Sequence, residues 1–225
     1  MFDEGSKITL FAIAMGLWAL SLGVEQSAPR AEVETAVNLA RLPPLPHAAA
    51  PDGSPAQTSV PARRVELGNG FKAELLYGYV IEGRVVTRRR YRFTRMGEIA
   101  PLDLGIVWGE LAEPGGTDAI RFGTGHRSLR WNSPPGATLP DNVREQITNN
   151  HLIPANQAVY DALRAIDVGS HVRISGYLVE VTGDGISPWR SSTIRDDAFS
   201  LTGCEIIFVT KVHRMPSRAK PKEWS

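Results

Sequence analysis

A single cysteine, Cys204, in 225 residues excludes an internal disulfide framework and any metal cluster built on several thiolates. In an oxidising compartment such a residue is either buried, the commoner fate of a free thiol, or bonded to another chain. Net charge is scarce too. Twenty-five Lys and Arg against 24 Asp and Glu leave +1, so no global field recommends nucleic acid as a partner. The five histidines show neither H-x-H nor H-E-x-x-H spacing, so His126, His151, His171 and His213 with Glu205 or Asp196 carry no metal signature. Gly123-Thr124-Gly125 lacks the lysine and the following helix of a phosphate loop. Neither a metal nor a cofactor is expected.

What is present reads as a globular domain on a leader. An apolar content of 42% with 22% charged residues argues against wholesale disorder, and the length suits one substantial domain or two small ones. Residues 8–24 (ITLFAIAMGLWALSLGV) are uncharged and apolar all round. As a helix they would extend about 26 Å, just under the ~30 Å of a hydrocarbon core. A cleaved signal peptide and an uncleaved signal anchor compete here. Ala19-Leu20-Ser21 and Ser21-Leu22-Gly23 are poor small-x-small cleavage sites and a tether-like stretch follows, which favours the anchor. The expected organisation is a transmembrane helix over 1–24, a Pro/Ala-rich linker over 25–64, a periplasmic β-rich domain over 65–214, and a tail over 215–225.

Within the domain, residues 80–93 (VIEGRVVTRRRYRF) alternate. Ile81, Val85, Tyr91 and Phe93 are expected on a core face, and Glu82, Arg84, Arg88, Arg90 and Arg92 on a basic outer one. Such a stripe suits phosphates, anionic headgroups or an acidic partner, and equally a solvated face whose charges discourage edge pairing. Residues 101–111 read as a strand, with Trp108 in the core and Asp103 capping a turn or pairing with an arginine. Residues 119–122 and 128–131 read as short strands. Asp141 caps an expected short helix over 142–149. The clearest helix spans 155–166, with Ala155, Ala158, Val159, Ala162, Leu163 and Ile166 at helical spacing and Pro154 in its first turn. Strands over 172–181 and 205–212 complete the domain, the first with Gly176 allowing a bend or a close backbone approach. The fold class is therefore α+β and β-rich: a mixed or antiparallel sheet, or a partly closed barrel of the oligonucleotide/oligosaccharide-binding (OB) type, with one main helix.

The reactive residues concentrate in the insertion before the last strand. A Ser/His/Asp hydrolase would use Ser191 or Ser192 as nucleophile, His151 as base and Asp103 or Asp196 as orienter. Neither serine sits in G-x-S-x-G and no glycine-rich oxyanion loop is evident. A Cys204/His151 pair is weakened by the apolar strand that Cys204 opens. A binding surface needs less. Trp131 and Trp189, with Arg190, Arg195 and Glu205, could stack on and hydrogen-bond a flat polar ligand or anchor a partner protein.

Several strings together resemble a group of uncharacterised, membrane-anchored bacterial envelope proteins: Asp103-Leu104-Gly105 to Trp108-Gly109, His151 to Ala155, Gly176 to Val179, Ser191 to Asp197, and Cys204-Glu205. The resemblance implies an exported or anchored bacterial protein and supplies no activity. The expected role is recognition, scaffolding or accessory function in an envelope assembly, with the inner membrane and a protein as partners. The alternative is a tethered hydrolase acting on an envelope polymer.

Overall fold

The computed structural model describes residues 37–194 and 204–216. The first strands, β1 (Ala56–Gly68) and β2 (Phe71–Arg90), form a hairpin closed by Asn69-Gly70, both with positive φ. Gly68 faces Phe71 across this two-residue loop. Asn-Gly is the sequence best suited to such a turn because both residues tolerate the left-handed region. The hairpin overturns part of the expected linker. Val65 and Leu67 on β1 belong to a core, and Val37, Leu39, Leu42 and Leu45 pack against the same cluster. Proline and alanine disguised a strand that alternates poorly because much of it is exposed.

After β2 a short helix, α1 (Arg95–Ile99), leads into β3 (Leu102–Val107). A small separate hairpin follows, β4 (Arg121–Thr124) with β5 (Leu129–Asn132). The expected helix over 142–149 is not there. A single 3-10 turn over Val143–Gln146 gives way to β6 (Ile147–Pro154), buried along its whole length. A central strand covered on both faces loses the alternation that would announce it. The main helix, α2 (Gln157–Arg164), begins later than expected. Asn156 caps it by accepting from Val159 N at 3.0 Å, and Pro154 closes β6 instead. Then come β7 (His171–Gly183), the short β8 (Trp189–Arg190) and β9 (Cys204–Met215).

Strand pairing explains the shape. β2 is long enough to pair with β1 up to Val80, with β7 up to Arg84, and with β3 from Arg84 onward. The order β2–β3–β6–β9–β7 then returns to β2, so a mixed sheet comes partly round on itself, with β6 and β9 parallel. The domain is β-rich with one main helix, as expected. Leu104, Ile106, Leu152, Ile174, Leu178 and Ile207 fill the ring together with Val159, Leu163 and Ile166 from α2 and its end. A bulge between Leu75 and Tyr77 turns β2 over, so Phe71, Ala73 and Leu75 join a second core on the other face. Phe93 does not face either core; it is 95% exposed, because β2 ends at Arg90 and alternation stops with it. The expected transmembrane helix over 1–24 lies outside the described residues, and among those described no helix is long and apolar enough to cross a membrane.

Candidate functional site

β3 and β6 run antiparallel with Asp103 opposite His151. Their neighbours Leu102, Leu104 and Leu152 point into the ring, so the two-residue period of a strand sends Asp103 and His151 to its outer face. There both are almost fully buried, at 3% and 2% exposure. His151 Nδ1 lies 2.9 Å from Asp103 Oδ1, a close contact without the alignment of a hydrogen bond. Asp103 Oδ2 has no hydrogen-bond partner.

Arg127 supplies the charge opposite Asp103, with Nη1 3.2 Å from the same Oδ1. It sits in the turn between β4 and β5 with φ of 49°, left-handed backbone that a side chain rarely adopts. Several contacts hold it there. Its N–H donates to the Tyr91 hydroxyl at 3.1 Å and Nη2 donates to Ala100 O at 3.1 Å. Its guanidinium lies 4.0 Å over the Tyr91 ring and 5.5 Å from that of Trp189. Trp189 in turn tilts against the His151 imidazole at 4.9 Å. Burial lowers the Arg127 pKa, and the Asp103 carboxylate partly offsets this. Burial, followed by the negative charge of Asp103, pushes the Tyr91 phenol up to about 12.

The structure thus joins His151, Asp103 and Trp189 from among the expected site residues, and adds Tyr91 and Arg127. Nothing in the spacing of Arg127 distinguishes it from other hairpin arginines; the one available signal was the tight Gly125–Ser128 turn, closed by Gly125 N to Ser128 O at 2.8 Å. The remaining candidates go elsewhere. Ser191 is buried and its hydroxyl is committed to backbone, donating to Ser192 O at 2.9 Å and accepting from Ile206 N at 3.0 Å. Ser192 bonds within its own turn, to Ile194. Arg190 pairs with Glu180 at 2.6 Å, and Glu205 accepts from the Thr148 hydroxyl. Trp131, on β5, packs against the cluster of Val107, Leu111, Ile120, Val143 and Ile147. Arg195 and Asp196 lie outside the described residues. Cys204 is half-buried at the start of β9, 3.7 Å from Asn149 Nδ2, rather than sealed in the core.

The basic stripe of β2 is also placed. Arg84 bonds Leu111 O and the Thr117 hydroxyl, while Arg88 and Arg90 both reach the carbonyl of Arg164 at the end of α2. Among the described residues no cluster of three or more His, Cys, Asp or Glu could hold a metal. Comparison with protein-family models, with curated proteins and with solved structures finds no match in any of the three.

Proposed function

We propose that this chain is a membrane-anchored recognition module, an accessory or scaffolding subunit of a bacterial envelope assembly, built on an OB-type barrel. The ring order β2–β3–β6–β9–β7, the parallel β6–β9 pair and the helix between β6 and β7 all suit that architecture. In OB barrels the second and third ring strands, with the loops beside them, take the ligand. Here those strands are β3 and β6. The observation that carries the reading is the convergence on their outer face of Tyr91, Arg127 and Trp189, from three separate segments, over the buried Asp103–His151 pair. Tyr, Trp and Arg held by packing are the side chains that dominate protein interfaces. The leader over 8–24 and the resemblance to envelope proteins supply the setting.

The commitment of the Ser191 hydroxyl to two backbone groups weighs against a serine hydrolase, since a nucleophile needs a base at its oxygen. The test is co-purification from detergent-solubilised membranes of full-length wild type and of Trp189→Ala. The expected result is a protein partner retained by the first and lost by the second, with both chains folded. A wild-type chain that migrates alone, or one that cleaves an envelope polymer only when His151 is present, would overturn the reading.

A further inference from the structure

Four arginines gather where the second half of β2 passes the end of α2. Arg88 Nη2 and Arg90 Nη2 donate to one oxygen, the carbonyl of Arg164, at 2.6 and 3.3 Å. The Arg164 guanidinium lies 5.5 Å over the Tyr160 ring, and Arg92 projects into solvent just beyond Arg90. The Arg90 pKa is lowered, first by partial burial and then by the positive charges of Arg88 and Arg164, with Arg92 adding to them. Four arginines elsewhere on the domain meet acids: Arg95 with Glu98, Arg127 with Asp103, Arg173 with Glu82 and Arg190 with Glu180. Among the described residues none of Arg88, Arg90, Arg92 and Arg164 forms an ion pair.

The end of a helix offers about half a negative charge. One carbonyl shared by two guanidinium groups engages one N–H of each, where each offers five. The capping contact therefore leaves most of the donors and most of the charge unanswered, in a chain whose net charge is only +1. Phe93, 95% exposed, follows Arg92 directly, and Val168, 59% exposed, lies on the turn after α2. Scattered exposed apolar side chains are ordinary. An aromatic ring almost wholly in water beside an uncompensated cationic cluster is the combination that seats at a lipid headgroup boundary.

We propose that Arg88, Arg90, Arg92 and Arg164, with Phe93 at their rim, form a docking surface for the phosphodiester headgroups of an anionic phospholipid bilayer. The choice of a bilayer as occupant rests on the membrane-anchor part of the reading above. About a dozen residues of sequence separate the apolar run from Val37, the first described residue, which packs on the domain; a flexible stretch of that length would reach roughly 20 Å. An anionic bilayer supplies the counter-charge that this cluster lacks.

The test uses full-length protein added from detergent to vesicles of phosphatidylcholine alone or with phosphatidylglycerol. Flotation and hydrogen exchange over residues 86–94 and 164–170 are both read. The expected result is slower exchange in those segments with phosphatidylglycerol vesicles only, reversed by high salt. Arg92→Gln with Phe93→Ser, at two exposed positions outside the fold's hydrogen bonding, should weaken that protection at least about fivefold. Equal exchange in the two vesicles, or protection unchanged in the double variant, would overturn the proposal. So would loss of protection on adding millimolar inorganic phosphate at constant ionic strength, which would assign the site to a free anion. Flotation separates the two claims. Protein that floats with both vesicles but shows no protection keeps its anchor and loses the docking surface; protein that floats only with phosphatidylglycerol loses the anchor and keeps the surface.

Discussion

The two faces of the β3–β6 ladder are built from the same six-residue stretch of backbone pairing and are both closed to water, yet they are opposites. Inward, Leu102, Leu104, Ile106 and Leu152 pack with the other strands and with α2. Outward, Asp103 and His151 are buried at 3% and 2% exposure under Arg127 and Trp189. The inner face tolerates anything apolar of suitable volume. The outer one holds a carboxylate out of water, which is costly without a charge and donors beside it. The polar face is held by specific partners, whereas the apolar face is held by volume alone.

Substitutions inside the ladder should separate the two faces most. Leu104→Ala, at a fully buried position, should cost about 2–5 kcal/mol in urea unfolding, by lost transfer energy and the cavity left behind. Asp103→Ala should cost about 3 kcal/mol, because the guanidinium of Arg127 stays buried without its partner. Arg127→Ala in the same chain should recover part of that loss, and a double-mutant cycle measures the coupling. Strict additivity would mean that the two faces differ in composition only and not in how they are held.

The outer face should also respond to alkaline pH, where the inner one does not. The Tyr91 phenol titrates near 12 in the fold and near 10 when unfolded. Its contribution is complete below about pH 10 and is lost as pH rises through about 12, since the unfolded chain releases the proton first. Tyr91→Phe should flatten the stability profile in that window, as read by thermal unfolding across an alkaline series. Ser191→Ala should cost about 1 kcal/mol, by leaving Ile206 N without its acceptor. The smallest expected effect is that of Arg89→Ala, within about 0.5 kcal/mol, because its bond to the Thr124 hydroxyl is long and exposed.

Elements with a strong local signal were legible from sequence. The helical spacing of Val159, Leu163 and Ile166 placed α2 near its true position. The role given to Gly176 is met closely: an added Cβ would run into the carbonyl of Phe208 on β9, so only glycine lets the two backbones meet there. Residues 142–149 misled because Asp141 resembles a helix cap and the polar Thr148, Asn149 and Asn150 resemble a solvated helix end, while in the fold β3 and β9 flank them on both sides. β1 was hidden by Pro61 and by its own exposure. Ser191 drew attention for its chemistry and turned out to serve the backbone of β9. Arg127 drew none, because its importance lies wholly in what stands around it.

The sequence alone determined the β-rich composition, the main helix, the apolar run over 8–24 and the residues to suspect, since each depends on neighbours along the chain. Which way β2 turns after its bulge, which strands flank β6, and that Tyr91, Arg127 and Trp189 close over Asp103 and His151 depend on contacts between segments far apart in sequence. Only packing decides these, because the same charged side chain is a solvated ornament in water and the partner of a buried carboxylate in a fold.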